Sequence, residues 1–452
     1  MTPPAATAAM LARVLAGVER FPPPDFTDHQ LPTISDPSPE LVQWQYVWFA
    51  LLVIGMALTA YLAIRARSRR GVLLTAIASL ILFGFVRGGC VCSIGAIQNV
   101  ALGLGQPDYV VPWVVVGFLV LPLAFALFFG RVFCAAVCPL GAVQEVVALK
   151  PIQVPRWLDE SLGVVAYVYL GLAVALAATG TGFIICRYDP FVGFFRLSGT
   201  VQMLAFGGAL LLVGVFIGRP YCRYLCPLGV LLRWSSLLSK WHLRIPAEEC
   251  IHCRLCEDAC PYGAIREPTV PQTAEERRRG RRRLVALIAL WPALVGLGAW
   301  LGGHLEAPLA RMHPIVRTAE LVWQQSRSDS QADNLLSDPA ADDAASQNAG
   351  QARAINGSDD NDAASDRLTA FLNTGTPSAK LFARAREKAA AVGMAAMLFG
   401  GWVGLVIGGK LIALNLRRRR NEWQPDRGAC VSCGRCFWYC PVKTSEQKLL
   451  QE

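Results

Sequence analysis

Charge is scarce in this chain. Only 17% of its 452 residues are Asp, Glu, Lys or Arg, 54% are hydrophobic, and the mean hydropathy is +0.38. That balance excludes a soluble globular protein, which carries charge on about a quarter of its residues. Histidine is rarer still. His29, His242, His252, His304 and His313 are the only five, and none has the spacing of a haem or zinc pair. No G-x-G-x-x-G follows a strand pattern and there is no P-loop, so no nucleotide site is indicated. The first forty residues are Pro-rich and lack the apolar stretch of a cleavable signal peptide.

What the chain has instead is long apolar runs. Crossing a bilayer takes roughly 17–25 apolar residues, and seven such spans are read at about 46–64, 71–87, 110–129, 163–185, 201–217, 284–303 and 389–409. The fold class expected is therefore an all-α polytopic membrane protein. The net charge of +10 is mostly arginine and is unevenly placed. Arg65, Arg67, Arg69 and Arg70 follow the first span, Arg277–Arg279 and Arg281–Arg283 precede the sixth, and Arg417–Arg420 follow the seventh. If the spans alternate, all of these fall on one side, and short basic loops stay in the cytoplasm. The expectation is a bacterial inner-membrane protein with its N-terminus outside and its C-terminus inside. The basic balance reads as topology, not as nucleic-acid binding.

Cysteine is abundant, at fifteen residues. Cys250, Cys253, Cys256 and Cys260 precede Pro261, and Cys430, Cys433, Cys436 and Cys440 precede Pro441. This is the C-x2-C-x2-C-x3-C-P run of two-cluster iron–sulfur proteins, in which the fourth cysteine of each run serves the other cluster. Two [4Fe-4S] clusters are expected. One is held by Cys250, Cys253, Cys256 and Cys440, the other by Cys430, Cys433, Cys436 and Cys260. Two spans separate the runs, so both return to one face and form a small α+β ferredoxin-like unit. His252 lies inside a run and is read as a solvated loop residue.

The organisation follows. Residues 1–44 are an outer arm, and 45–233 a five-span core. Residues 234–283 carry the first cysteine run, 284–303 the sixth span, and 304–388 an outer segment. That segment's middle, Ser328 to Asp366, is rich in Asp, Ser, Asn and Ala and is expected to be flexible. Residues 389–420 are the seventh span with its basic flank, and 421–452 carry the second run. The core holds an internal repeat: Gly130-Arg131-Val132-Phe133-Cys134-Ala135-Ala136-Val137-Cys138-Pro139-Leu140-Gly141 recurs 88 residues later as Gly218-Arg219-Pro220-Tyr221-Cys222-Arg223-Tyr224-Leu225-Cys226-Pro227-Leu228-Gly229. Two spans lie in each unit, so the copies run parallel. Cysteines four apart share a helical face. Cys134, Cys138, Cys222 and Cys226 then admit two readings, a further metal site or reduced packing cysteines. Cys90, Cys92 and Cys186 remain, at outer span ends. They supply three ligands where a metal site needs four, so a metal site and a structural role stay open. The stretches after them, 93–99 and 189–195, read as re-entrant half-helices. Asp189, Arg187 and Arg196 sit near the membrane, where charge is costly.

The paired GR-x-x-C-x3-CPLG motifs, Cys186-Arg187-Tyr188-Asp189-Pro190-Phe191, the two four-cysteine runs and the outer His313-Pro314-Ile315-Val316-Arg317-Thr318-Ala319-Glu320 together resemble the NosR/NapH family of polytopic membrane polyferredoxins. The resemblance covers about residues 45–445. It implies electron transfer between the quinone pool, or a cytoplasmic donor, and an outer-face partner such as a flavoprotein or reductase. The chain would then be the electron-transfer component of an oxidoreductase system and not a stand-alone enzyme. The 44 residues before the first span are too few for the outer flavin domain of NosR proteins, so FMN enters only through a separate partner. The other reading the family offers is an accessory or maturation factor for a metalloenzyme such as nitrous oxide reductase or an oxidase.

Overall fold

The computed structural model describes residues 42–89, 93–149, 151–245, 250–269, 271–336, 359–416 and 420–442. The chain divides at Val47 into a short N-terminal unit and a large one, Trp48–Glu452, which holds every site considered below. The outer arm read at 1–44 lies almost wholly outside the described residues, as do Cys90 and Cys92.

Regular structure is almost entirely helical, because an apolar chain in a bilayer must satisfy its backbone within each segment. In chain order the principal helices are α1 (Gln43–Arg65), α2 (Arg69–Val86), α3 (Ser93–Gly105), α4 (Trp113–Phe129), α5 (Pro139–Val147), α6 (Arg156–Ala178), α7 (Val201–Phe216), α8 (Pro227–Leu237), α9 (Ala274–Gly303), α10 (Pro314–Leu336), α11 (Asp359–Asn373) and α12 (Ser378–Asn415). By length and composition α1, α2, α6, α9 and α12 are able to cross a membrane, while α4 and α7 are apolar but shorter. The seven apolar stretches read from the sequence fall on these seven helices. One is displaced: the stretch read at 163–185 is a helix at Arg156–Ala178. Its polar first turn extends it backward. Gly180, at φ 74°, ends it, with Thr181 N donating to Leu176 O and Gly180 N to Ala177 O. That left-handed C-terminal cap satisfies the last carbonyls.

α9 and α12 form a tight antiparallel hairpin. Gly298 and Gly302 of α9 face Ala396, Gly400 and Gly404 of α12 so closely that an added Cβ on Gly298 or Gly400 would enter the opposite backbone. Small residues permit this approach, and van der Waals packing is what holds helices together in lipid. The hairpin returns the chain to its starting side, where strands β1 (Ile265–Arg266) and β2 (Gln424–Pro425) pair antiparallel, Ile265 opposite Pro425. The two cysteine runs, 180 positions apart, are thereby joined. The core does not stop at this junction. Leu52, Met56, Phe133, Tyr221 and Leu228 belong to the same buried cluster as Cys260, Tyr262, Trp423, Val431 and Cys433.

At the far end of the hairpin, α12 continues past the bilayer. Its 38 residues are about 57 Å long, against roughly 30 Å for the hydrocarbon core. Ala319 of α10 packs there against Leu381 and Ala385 of α12, with Phe371 of α11 beside them. The stretch from Ser328 to Asp366, read as flexible, is helical at both described ends, where α10 and α11 extend into it, while 337–358 lies outside the described residues.

The hairpin makes a prediction with a built-in control. Gly400→Ala places a methyl group against the backbone of α9 and should cost about 1–3 kcal/mol. Gly409→Ala, on the same helix with nothing within 4 Å of its Cβ, should be neutral or stabilising by up to about 1 kcal/mol. Thermal unfolding in detergent, followed by tryptophan fluorescence, reads both signs.

Candidate metal centres

The two cysteine runs fold alike. His252 and Arg254 in the first run, and Ser432 and Gly434 at the matching positions of the second, all have positive φ, at 58°, 61°, 55° and 76°. Left-handed residues at alternate positions turn successive N–H groups toward one concavity, a backbone form suited to anions and iron–sulfur sites. Ser432 N already points at Cys430 Sγ, 3.4 Å away. Non-glycine residues hold this conformation at about 1–2 kcal/mol each, so the rest of the fold must enforce it.

Each run closes around a cavity that the other run completes. Cys250, Cys253 and Cys256 share one cavity with Cys440, walled by Arg67, Arg254, Trp423 and Phe437. Cys430, Cys433 and Cys436 share a second with Cys260, walled by Tyr262, Ile265 and Arg435. Cys436 borders both cavities. Burial pushes the Cys430 thiol up to about 12 and Cys256 up to about 11. Such thiols become thiolates only when a bound cation supplies the charge. The donor set fits four-iron clusters: at least four thiols about each cavity, drawn from both runs, with a cradle of N–H groups. Among the described residues no three His, Cys, Asp or Glu side chains close on a single ion.

The CPLG cysteines are also brought together. Cys134, Cys138 and Cys226 are buried and Cys222 is partly so. Burial, then the neighbouring thiols Cys222 and Cys134, raise the Cys138 thiol far above its ordinary value. The two copies are built the same way. Cys138 N donates to Phe133 O and Cys226 N to Tyr221 O, both at 2.9 Å, and each cysteine takes the extended conformation that a following proline favours. The copies also exchange arginines. Arg219 Nη1 would stand 3.3 Å from a Cβ on Gly141, and Arg131 Nη2 would stand 3.5 Å from one on Gly229. The tightest neighbours of such a Cβ are the carbonyls of Cys134 and Cys222, each at 3.1 Å, so both glycines stand where the chain folds back on its own cysteine turn beside the other copy's guanidinium. Arg219 donates to Cys134 O and to Ala135 O, the latter at 2.9 Å. Gln144 Nε2 reaches Cys222 Sγ at 3.5 Å.

One residue that the sequence reading passed over sits at the centre. Glu145 on α5 is 3% exposed. Its carboxylate accepts from Arg219 Nε at 3.0 Å, Arg435 Nε at 3.0 Å, Tyr262 OH at 2.9 Å and Arg69. These four come from the second repeat copy, both cysteine runs and the start of α2. Arg69 also donates to Cys433 O at 2.9 Å, while Arg67 and Arg70 lie over the rings of Phe437 and Trp438. The arginines after the first span are therefore clamps on the second run as well as signs of topology. A lone carboxylate in the apolar turn Ala142-Val143-Gln144-Glu145-Val146 was the available signal.

The outer positions do not assemble into a described site. Cys186 is exposed. Asp189 Oδ1 accepts from Phe191 N at 2.9 Å and Val192 N at 3.3 Å, which caps the turn Val192–Phe195. Arg196 Nε donates to Gly88 O at 3.3 Å, and Arg187 stacks on Tyr188. Of the two stretches read as half-helices, the first is α3, buried from Ser93 to Gln98, and the second is a single turn with Phe191 and Phe195 buried.

Burial pushes the Glu145 carboxyl up, but Arg219, Arg435 and Arg69, with the Tyr262 hydroxyl, outweigh it and hold the group at about 2. A depressed carboxylate stabilises the fold above its unfolded value, 4.5, and that contribution disappears as pH falls toward 2. Glu145→Ala should cost about 3–5 kcal/mol, because it leaves buried Arg219 uncompensated. It should also abolish the loss of stability between pH 4.5 and 2 that this group contributes. Unfolding midpoints across that range, compared with the parent protein, check both.

Comparison with known proteins places these motifs. One 4Fe-4S binding domain model matches residues 110–157 and 200–246, the two CPLG regions, and a second matches 243–266, the first cysteine run. The chain is 36% identical over 117 residues to the putative electron transport protein YccM of Escherichia coli, covering 24% of this chain and 32% of that protein. It is 37% identical over 126 residues to protein NirI of Paracoccus denitrificans, covering 26% and 18%. It is 30% identical over 185 residues to the uncharacterised protein MJ0750 of Methanocaldococcus jannaschii, covering 40% of this chain and 77% of that one. The chain thus spans a third or less of the length of the first two relatives. No solved structure matches. With its apolar membrane-length helices, its 4Fe-4S binding domains and these relatives, the chain belongs to the NosR/NapH-type family of polytopic membrane polyferredoxins.

Proposed function

We propose that this protein relays single electrons between the quinone pool, or a cytoplasmic donor, and a partner on the outer face such as a flavoprotein or reductase. Two [4Fe-4S] clusters are held at the cavities of Cys250, Cys253, Cys256 and Cys440 and of Cys430, Cys433, Cys436 and Cys260, on the cytoplasmic side of a bacterial inner membrane. Cys134, Cys138, Cys222 and Cys226 hold a further iron–sulfur site. The observation that carries this reading is the sharing of cysteines between the runs: Cys436 and Cys440 of the second run border the cavity of Cys250, Cys253 and Cys256, and Cys260 of the first run borders the cavity of Cys430, Cys433 and Cys436. Bound clusters supply one-electron carriage over a wide range of potentials.

The chain's own residues set the conditions for that carriage. Glu145 ties Tyr262, two residues beyond Cys260, to Arg219, three residues before Cys222, so the buried thiols and the second cavity keep a fixed separation. Gln144 supplies an N–H to Cys222 sulfur and Ser432 one to Cys430 sulfur. Hydrogen bonds to sulfur and burial are the levers that tune potential. Cys253 is exposed, so the first cavity is the side from which a soluble partner exchanges electrons. FMN, if it takes part, is carried by a separate protein.

Electron paramagnetic resonance with redox titration, together with iron and sulfide analysis of anaerobically purified protein, tests the assignment. Three four-iron sites give about twelve irons, falling to about eight when Cys134 and Cys222 become Ser. About eight irons in both proteins would remove the further site and leave the two clusters. Cys440→Ser should perturb the signal of the cluster built on the first run, and loss of the other cluster alone would overturn the crossed ligation.

A further inference from the structure

The internal repeat is broken at one charge. Shifted by the repeat offset, Arg131 falls on Arg219 and Glu145 falls on Arg233. In one direction the exchange between the copies is neutral: Arg219 of the second copy donates to Glu145 of the first at 3.0 Å. In the other direction the acid is missing. The place on α8 that matches Glu145 holds Arg233, a second cation. Both arginines adjoin Gly428. Arg131 Nη1 donates to its carbonyl at 3.3 Å, and Arg233 Cγ would stand 3.1 Å from its Cβ. Arg131 is 8% exposed, its Nε has no hydrogen-bond partner, and among the described residues no carboxylate pairs with it.

Sulfur surrounds this uncompensated charge. Arg131 Nη2 is 3.9 Å from Cys134 Sγ, and the guanidinium lies within electrostatic reach of the Cys222 and Cys430 thiols. Cys134 and Cys222 are CPLG cysteines, one from each repeat copy, and Cys430 belongs to the second cavity. Arg131 borders one space together with Cys222, Cys226 and the two neighbours of Cys430, Ala429 on one side and Val431 one residue on. It therefore stands between the two sites, while the first cavity is walled by other residues. A thiolate-bound cluster is anionic and gains negative charge on reduction, so a nearby cation favours its reduced form, most of all where burial keeps water from screening it.

We propose that Arg131 is a tuning residue shared by two redox sites: its unneutralised guanidinium raises the potentials of the second cluster and of the CPLG site together, and the replacement of Glu145 by Arg233 between the repeat copies keeps it unneutralised. This rests on the iron–sulfur reading of both sites. The guanidinium stays protonated throughout. No bond forms and no proton moves; what changes is the potential at which each site takes its electron. A charge common to both moves them in the same direction and preserves the difference between them.

The test is a redox titration followed by electron paramagnetic resonance, on the full chain purified anaerobically, with iron measured on every sample. Signals are assigned with Cys440→Ser and with the protein in which Cys134 and Cys222 are both Ser. Arg131→Gln should lower the midpoints of the second cluster and the CPLG site by at least about 59 mV, a tenfold change in the ratio of reduced to oxidised centre. The first cluster should move by less than half as much. Arg131→Lys, which keeps the charge, should show less than half the shift of Arg131→Gln. Arg233→Glu supplies the missing acid from a half-buried position, leaves Arg131 in place and should lower the same two midpoints; it decides the matter if Arg131→Gln loses iron. Unchanged midpoints in Arg233→Glu at full iron, an equal shift of all three signals, or as large a shift in Arg131→Lys as in Arg131→Gln would overturn the proposal. About eight irons in the parent protein would remove the CPLG site from the reading, and the midpoint of the second cluster then carries the test, so the two failures are told apart.

Discussion

A single buried carboxylate organises this molecule. Glu145 receives three guanidiniums and a tyrosine hydroxyl from four separate parts of the chain. Glu145 and Arg219 have no water to fall back on, each with a side chain 1% exposed, while Arg69 and Arg435 keep 13% and 15%, so the buried pair depends on the others being in place. Buried ion clusters add little net stability over an apolar core of the same shape, but removing one member is severe. Their use here is specificity. The network admits one arrangement of the repeat copies, the α2 arginines and both cysteine runs, which apolar packing alone would leave less defined.

That constraint explains why the cysteine-rich face is not a separate ferredoxin domain on a membrane anchor. Its buried residues continue the core of the membrane helices, and its second run is gripped from the membrane side by Arg67, Arg69 and Arg70. The glycine stripe of the α9–α12 hairpin brings the second run back to the first. The Glu145 network then fixes both against the CPLG cysteines. Distances between thiol groups are therefore set by packed backbone and a charge cluster, not by a linker, which is what a relay of electrons needs.

Much of the site could be read directly. Iron–sulfur ligation depends on local spacing, so the C-x2-C-x2-C-x3-C-P runs and the C-x3-C-P pairs announce themselves. Parity of the spans put the runs on one face. The left-handed residues were half visible, because Gly434 hints at one but Arg254 does not. Glu145 showed only as a lone carboxylate among apolar residues, and the exchanged arginines were not visible. A lone Glu and an Arg beside a glycine have no periodicity, and their meaning lies in partners 74 and 290 positions away. The charge loops were read for topology, which uses their sign alone. Their clamping role needs geometry.

By itself, then, the amino-acid order determined what depends on composition and short spacing: a polytopic helical membrane protein, a duplicated core motif and two four-cysteine runs. These follow from hydrophobic length and ligand chemistry, which act over a few residues. The tertiary structure alone decided which charges neutralise one another and which side chains wall the cysteine cavities. Those are matters of long-range proximity in a low-dielectric interior, where a charge is stable only beside its counter-charge, and no local pattern records which one that is.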